Sequence, residues 1–475
     1  MRKSLLVFGM LCLSLFSFAQ VSKQQAIATL PQTNSRDNPY WTDIVTERPE
    51  GYVELENGDV EISSAEGLAW LISVVNGLNG CIPDNFEGRK VMLINNVDLS
   101  GADWIPIGDM FSDSTLVFKG HFDGKGHVIR NLYIKDLFWD YLSLFGYLDH
   151  AEIHNIFLDQ GLICGRCYCG GIAGRSDNGS IINNCVVNLE VSGLFYTGGL
   201  AGHNKNSTIR NCCYINNRFE PADNFGGGIA GQNEADGQNA IIENCYYDSQ
   251  IIGSFNTCWT GGIVGLNTIT GNGGTAWVKN CYAALHGQDW YDEGGIIGRN
   301  MGGELSNCYY CIINSNCEIP LVGDGDMNYT ECSIFEYQEG GDLVLEHPVS
   351  VGDYQTDNLL DALNLWQTIQ IPAIQYHNWC KEVSLPFFCD QLSATNEDIL
   401  LHKKVSLFPN PTDSFVFIEG SSLIKFEVYN LAGKKLHENE GRTIKIDASG
   451  WSKGIYLVKI IEENDAVVTK KLVVR

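Results

Sequence analysis

Three short motifs in this 475-residue chain carry side chains of the types that can bind metal ions. His150–His154 (HAEIH) places its glutamate one position late for the zinc pattern H-E-x-x-H, and in a strand residues four apart are separated by about 13 Å. Cys164–Cys169 has C-x2-C-x-C spacing without a second pair at zinc-ribbon spacing. Asp324–Phe335 begins like a calcium loop but lacks its glycine and its bidentate glutamate. We therefore predict no metal, no cofactor and no catalytic residue; for the cysteines a soft metal, a disulfide and plain packing stay open.

Aromatic side chains offer a different chemistry, because planar rings exposed in loops stack on sugar rings. The candidates fall in the loops or flanks of the later repeats described next. The alternative is that these rings pack against the fold or cover its edges. The candidate ligand-binding residues are Trp259, Trp277, Trp290 and Tyr291.

The elements that must position these residues are indicated by an internal repeat. The phrase Gly-Gly-aliphatic-small-Gly occurs five times, with starts 28, 29, 34 and 33 residues apart, and an Asn-Cys pair follows each copy. Repetition with this period indicates a solenoid. The phrases begin at Gly170, Gly198, Gly227, Gly261 and Gly294.

The segments between the phrases are alternating, β-branched and too short for helices, so each repeat predicts a coil of short strands. Equivalent residues then stack about 4.8 Å apart, which favours amide and thiol ladders. Disulfides are the alternative, because 16 cysteines lie between Cys81 and Cys389. The predicted fold class is all-β: a right-handed parallel β-helix with short capping helices, followed by a small C-terminal β-sandwich. The ladder residues are Asn184, Cys185, Asn211, Cys212, Asn244, Cys245, Asn280, Cys281, Asn307 and Cys308.

Two features of the repeat predict turns. The glycine clusters should mark sharp corners, with backbone angles closed to other residues. An asparagine two residues after the last glycine should adopt a left-handed conformation, which asparagine tolerates. These positions are Asn204, Asn233, Asn267 and Asn300, whereas the first repeat has Ser176 there.

The repeat phrases resemble the GLUG motif over roughly residues 144–310, and the run from Phe118 to Leu132 is similar to the coil that precedes such repeats. The resemblance implies a parallel β-helix, as in surface proteins and in the non-catalytic part of immunoglobulin A-cleaving metallopeptidases. It implies surface exposure but no particular activity, because members share architecture more than function.

The remaining body divides into a leader, an extension and two caps. Residues 1–19 are typical of a signal peptide cleaved between Ala19 and Gln20; the apolar run is too short for a membrane span and no later segment offers one. We expect an N-terminal extension over 20–59, a capping helix (64–76, with Ser63 and Glu66 at capping-box spacing) and first coils over 60–143, and the repeats over 144–320. Residues 321–390 should close the other end, with a helix N-capped by Asp357, before a linker at 391–403.

Residues 404–475 form a module of different composition. They have no cysteine and a small positive net charge, whereas the whole chain carries −26. Short alternating strands separated by turns predict the β-sandwich. Its marker residues are Pro409, Asn410, Pro411, Gly433, Gly454 and Tyr456. This pattern resembles the C-terminal sorting domain of the type IX secretion system, which implies handling by that machinery, passage through periplasm and outer membrane, removal of the tail, and surface attachment or release.

The charge of the body bears on function. Its acidity disfavours nucleic acid, because it repels phosphate, and suits solubility outside the cell. The few Lys and Arg residues of the repeats share no register, whereas uronic acid chemistry needs a cation or metal beside a base. We predict a secreted or surface-attached adhesion or binding protein, rather than an enzyme, whose partner is a host or environmental glycan or matrix protein. The alternative is a β-helical polysaccharide lyase or glycoside hydrolase with carboxylates that converge in space.

Overall fold

The body of the chain is a β-solenoid in the computed structural model, so the predicted fold class is confirmed. The description covers residues 38–108, 115–216, 219–250, 259–286, 293–313, 319–336, 343–370, 376–380 and 385–388 of the body, and 405–408, 415–420, 423–430, 434–440, 444–448, 450–462 and 467–474 of the tail. The predicted signal peptide and linker lie outside these residues.

Three long sheets run along the solenoid, and strands of successive coils pair in parallel, whereas Tyr52–Glu54 pairs antiparallel with Val60–Ile62. Sheet 1 contains Tyr52–Glu54, Val60–Ile62, Lys90–Leu93, His121–Asp123, Glu152–His154, Ile181–Asn183, Thr208–Arg210, Ala240–Glu243, Ala276–Lys279, Glu304–Ser306 and Tyr329–Thr330. Sheet 2 contains Phe145–Asp149, Ala173–Asp177, Ala201–Lys205, Ala230–Ala235, Val264–Ile269, Ile297–Met301 and Val322–Gly325. Sheet 3 contains Val97–Asp98, Val128–Lys135, Phe157–Cys167, Val186–Gly198, Cys213–Tyr214, Phe219–Gly227, Tyr246–Gln250, Thr260–Gly261, Tyr282–His286, Glu293–Gly294, Tyr309–Ile313, Ser333–Glu336, Val344–Val351 and Tyr354–Asn358.

The core consists of stacked rows, because register is kept from coil to coil. Sheet 1 contributes a row of fully buried aliphatic residues that includes Ile153, Ile182 and Ile209. Sheet 3 contributes buried tyrosines, of which Tyr214 and Tyr247 stack with ring centroids 5.8 Å apart. Burial of such side chains is the main stabilising contribution, at about 1.5–3 kcal/mol for each large residue.

The phrase glycines correct the expectation that they mark left-handed corners. None of those described has a φ in the left-handed region. They are required because neighbouring coils approach closely: a Cβ on Gly199 would lie 2.1 Å from the carbonyl oxygen of Gly228, and one on Gly228 would lie 2.1 Å from the Tyr247 ring. The phrase therefore requires glycine because a side chain would not fit, not because the backbone angles are unusual.

The two asparagine rows also exchange the roles expected of them. The left-handed residues are those of the Asn-Cys pairs, from Asn184 (φ 54°) to Asn307 (φ 51°). The asparagines two residues after each phrase lie instead within sheet 2 and point into the core, where Asn204 donates to Asn233 and Asn233 donates to Asn267, both at 2.8 Å. A buried amide needs such partners, and the neighbouring coil supplies them.

The cysteines of the five Asn-Cys pairs are buried and unbridged. Each sulfur faces the carbonyl oxygen two residues earlier, for example Cys212 with Arg210 at 3.0 Å and Cys281 with Lys279 at 3.1 Å. A sulfur in this position must carry its proton to donate, and burial raises the pKa of Cys245 well above that of an ordinary thiol. Cys332 adds a sixth position to this row, after Glu331 in place of asparagine.

Two helices belong to the N-terminal part of the body. A short helix, Trp41–Ile44, precedes the helix Ala65–Asn76, which packs into the core. The side chain of Ser64 caps this helix by accepting from the Gly67 amide, so the cap lies one residue beyond the expected Ser63.

The C-terminal part of the body begins with Val344–Val351, which pairs antiparallel with Ser333–Glu336 and so ends the parallel stack of sheet 3. The helix Leu359–Thr368 is capped by Asn358, not by the expected Asp357. It and the strands Trp379–Cys380 and Phe387–Phe388 pack along the outer side of sheet 3, where Trp379 lies 5.5 Å from Tyr282. Cys380 is disulfide-bonded.

The tail contains two small antiparallel sheets. One consists of Val405–Phe408, Phe415–Gly420 and Ile444–Asp447. The other consists of Leu423–Asn430, Lys435–Glu440, Gly454–Glu462 and Val467–Val474, whose apolar residues contribute to a separate small core.

Candidate functional site

A ladder of stacked aromatic rings runs along the outside of five successive coils, at the corner between sheets 3 and 2. Successive ring centroids are 5.0, 4.9, 5.2 and 5.2 Å apart, with interplanar angles of 5° to 18°. Every ring is half-buried. This aromatic ladder consists of Tyr141, Tyr168, Tyr196, Phe225 and Trp259.

The glycine phrases make the ladder possible. Tyr168 and Tyr196 adopt left-handed backbone angles (φ 57° and 52°), so the chain turns sharply there. The last glycine of the following coil's phrase lies against this turn: a Cβ on Gly202 would be 2.3 Å from the Tyr168 carbonyl carbon, and one on Gly231 2.3 Å from that of Tyr196. Only glycine leaves room for the corner that holds each ring.

Stacking covers most of the ring faces and leaves ring edges at the surface. The face of Trp259 that does not contact Phe225 carries the Arg299 guanidinium, 4.7 Å from its centroid. Burial raises the pKa of Tyr141 and Tyr196, so their hydroxyls stay protonated at neutral pH. The ladder can therefore offer apolar edges and hydroxyl groups.

The outer row of sheet 2 lies beside the ladder. It runs in register through Tyr147, Arg175, His203, Gln232, Leu266 and Arg299. The His203 ring lies 5.5 Å from that of Tyr168, which joins the row to the ladder.

The carboxylates of this face are paired with bases. His203 Nε2 and Glu234 Oε2 are 2.8 Å apart, and Thr270 Oγ1 donates to the other oxygen of Glu234 at 2.6 Å. The His203 bond holds the pKa of Glu234 down, at about 2, and burial lowers the pKa of His203. Asp177 accepts from Arg175 at 3.1 Å. These charged groups bind one another, so their role is structural.

A separate cluster of possible metal ligands lies on the outer face of sheet 1. His121 Nδ1 and His154 Nε2 lie 2.9 and 3.3 Å from the same oxygen of Glu152, and the two imidazole rings stack at 4.8 Å. All three ligand atoms lie within 4.8 Å of one another. The spacing within HAEIH alone does not indicate this cluster, because His121 comes from the preceding coil.

The structure places the predicted aromatic residues apart. Trp259 ends the aromatic ladder, whereas Trp277 lies on sheet 1 with the Lys279 ammonium 4.2 Å from its ring centroid. Trp290 and Tyr291 lie outside the described residues. The other four ladder residues were missed, although an aromatic residue stands two positions before four of the five phrases.

The Asn-Cys asparagines connect coils and also hold the C-terminal part of the body. Asn184 donates to Asn155, and Asn280 to Asn244, at 2.7 and 2.8 Å. Trp379 Nε1 donates to Asn244 at 2.8 Å, and Asn280 Nδ2 donates to the Leu363 carbonyl at 3.1 Å. This row therefore works in stability rather than in ligand contact.

The other predicted motifs form no joint site among the described residues. Cys164, Cys167 and Cys169 are unbridged, and burial raises their pKa values. Asp324 pairs with Arg299 at 3.2 Å, and Asp326 accepts from the Gly302 amide at 2.8 Å.

In the tail, the strand predicted around Gly454 and Tyr456 is present, and the Tyr456 hydroxyl donates to the Ser452 carbonyl at 2.6 Å. Pro409, Asn410, Pro411 and Gly433 lie outside the described residues.

The class of protein follows from these two parts: a β-solenoid body joined to a separate β-sheet tail. Residues 406–475 match the family of secretion system C-terminal sorting domains. The tail is thus a type IX secretion sorting domain, which implies handling by that machinery and export to the cell surface or the medium. No curated protein matches the chain. The described residues contain no helix of the length and apolarity that a bilayer span needs.

Proposed function

We propose that the exported body is an adhesion or binding protein whose contact surface is the aromatic ladder. The observation that carries this proposal is the unbroken line of ring edges over five coils, about 20 Å long. Aromatic residues with a polar end are favoured at binding surfaces, because they supply contact area and hydrogen bonds at low entropic cost. A straight surface of this kind suits an extended partner.

The covered ring faces favour a polypeptide partner, such as a matrix protein, over a glycan. Sugar recognition by aromatic residues uses free ring faces, whereas the ladder presents edges and tyrosine hydroxyls. The glycan remains an outcome of the test.

The test compares the full-length protein with two ladder variants, Tyr168→Ser and Tyr196→Ser, on surfaces coated with matrix proteins or polysaccharides. The matched control is Tyr354→Ser, because Tyr354 is 62 % exposed and lies away from the ladder. We expect both ladder variants to lose retention by at least about tenfold, the loss of one contact residue worth about 1.4 kcal/mol, while the control stays unchanged. Equal retention of all four proteins would contradict the proposal, and release of reducing ends from a polysaccharide would favour the enzyme.

We further propose that residues 1–19 are removed during export, and that the tail at 404–475 is cut off within the 391–403 linker after passage through the outer membrane. Mass spectrometry of the mature protein should then find an N-terminus at Gln20 and a C-terminus between residues 391 and 403. A mature protein that retains Tyr456 would contradict the second cleavage.

A further inference from the structure

The cluster of His121, Glu152 and His154 has the composition of a transition-metal site. Two imidazole nitrogens and one carboxylate oxygen form a set of donors that binds Zn²⁺ with a fourth position left to water. Such mixed nitrogen and oxygen donors suit Zn²⁺ and related divalent ions better than Mg²⁺ or Ca²⁺, which prefer oxygen alone.

Parallel pairing of two neighbouring coils builds this cluster. The strand His121–Asp123 pairs with Glu152–His154, so that His121 stands opposite Glu152 and Asp123 opposite His154. Because side chains two apart in a strand share a face, Glu152 and His154 both point outward toward His121. The solenoid core fixes the backbone beneath them, since Phe122 and Ile153 between these residues are fully buried.

The distances fit an ion after small side-chain rotations. Ligand atoms bound at about 2.0–2.1 Å in a tetrahedral zinc site lie about 3.3–3.4 Å apart. The two histidine nitrogens lie 2.9 and 3.3 Å from Glu152 Oε2, and all three atoms fall within 4.8 Å. The side chains of His121, Glu152 and His154 are 35 %, 48 % and 18 % exposed, so the cluster is open to solvent on one side.

The neighbours of the cluster limit it to three protein ligands. Asp123 accepts from Asn155 and pairs with Lys125, at 2.8 and 3.1 Å, so its carboxylate is engaged away from the site. Asn183 Nδ2 lies 3.3 Å from His154 Nδ1, on the far side of that ring. An amide nitrogen donates, whereas a metal-bound histidine donates its second ring N–H to an acceptor, so Asn183 does not support His154 as a ligand and an acceptor in its place should.

We propose that His121, Glu152 and His154 form a Zn²⁺ site that links two successive coils of the solenoid. The ion lies between the two imidazoles and the Glu152 carboxylate and binds all three, and water completes its coordination. This site is separate from the aromatic ladder, and its test does not depend on the binding role proposed above.

The experiment titrates the full-length protein, stripped of metal with a chelator, with ZnCl₂ in a calorimeter and then with CoCl₂ followed by visible absorption. We expect one equivalent of tight binding that His121→Ala and Glu152→Gln each weaken by more than about 10–100-fold, the usual effect of losing only an outer-shell partner. The control is His150→Ala, because His150 is exposed on the same turn and pairs with Asp149 instead.

Three results would overturn the proposal. The first is that the unmodified protein does not bind one equivalent of Zn²⁺. The second is that His121→Ala and His150→Ala bind Zn²⁺ with equal affinity. The third is a Co²⁺ spectrum with thiolate charge-transfer bands, which would place the ion on cysteines. Circular dichroism shows whether each variant is folded.

A gain-of-function variant tests the same geometry. Asn183→Asp would place a carboxylate beside His154 Nδ1 and should tighten Zn²⁺ binding by about tenfold. Unchanged or weaker affinity in this variant would show that His154 does not bind through Nε2 and would contradict the proposed site.

Discussion

Replacement of Asn267 by alanine tests whether the interior asparagine row stabilises the solenoid. Asn267 is fully buried; it accepts from Asn233 at 2.8 Å and donates to Asn300 at 3.1 Å and to the Ala276 carbonyl at 3.2 Å. Loss of the bonds to Asn233 and to the Ala276 carbonyl costs about 1 kcal/mol each, and the Asn300 oxygen left without its donor costs about 1–3 kcal/mol. We expect the free energy of unfolding to fall by about 3–5 kcal/mol.

The start of the same row allows the opposite change. Ser176 stands opposite Asn204, and within the described part of the chain Ser176 Oγ and Asn204 Oδ1 are buried without a hydrogen-bond partner. Ser176→Asn would supply Asn204 with a donor in the geometry that the later members of the row use. We expect the free energy of unfolding of this variant to be about 1–2 kcal/mol higher.

The assay is urea denaturation of the full-length protein, followed by circular dichroism, with midpoints compared at unchanged slope. The matched control is Asn272→Ala, because Asn272 is exposed in a loop and should change stability by less than about 0.5 kcal/mol. Equal midpoints for Asn267→Ala and Asn272→Ala would refute the reasoning, since the interior amides would then contribute nothing that a surface amide does not.

Three further predictions concern other rows. Gly231→Ala should lower the urea midpoint by an amount worth at least about 1–3 kcal/mol, because its Cβ would lie 2.3 Å from the Tyr196 backbone; an unchanged midpoint would contradict the packing. Glu234 has a folded pKa of about 2, below the 4.5 of an unfolded chain, so it should contribute about 2–3 kcal/mol above pH 4.5 that is lost as the pH falls toward 2. The difference in midpoint between the unmodified protein and Glu234→Gln should shrink over that range, and a constant difference would count against it. Cys245→Ala should leave the number of thiols titrated in the native protein unchanged and lower it by one after unfolding, because Cys245 is fully buried.

The sequence was sufficient for the architecture because a repeat with constant register leaves a periodic signal. The phrase and the Asn-Cys pair each recur once per coil, the phrase at the corner between sheets 3 and 2 and the pair between sheets 1 and 3. The capping residues were misplaced by one position, at Ser64 and Asn358, because neighbouring residues of similar capping ability cannot be separated until the backbone is known.

The sequence could not tell the two asparagine rows apart. Asn184 and Asn204 recur with the same period, and an asparagine is equally suited to a left-handed turn and to a buried amide ladder. The difference depends on which side of the coil a residue occupies, which is set by how the three sheets close around the core.

The cluster of His121, Glu152 and His154 could not be predicted for a different reason. His121 lies 31 positions before Glu152, in a coil whose sequence has lost the repeat phrase, so no periodic signal aligns the two. The aromatic ladder, by contrast, has a signal in the sequence: the residue two positions before the phrase is aromatic in four repeats.

The rows of one solenoid therefore have different roles although they share one period. Asn233 and its equivalents satisfy one another inside the core, and Asn244 with its neighbours holds the C-terminal part of the body. The aromatic ladder is also stacked within itself, but each of its residues stays partly exposed. Each of five successive coils has a half-buried ring in the ladder, and each ring requires a glycine in the coil that follows. That repeated requirement favours a role for the ladder outside the fold, and contact with a partner is the role that its shape allows.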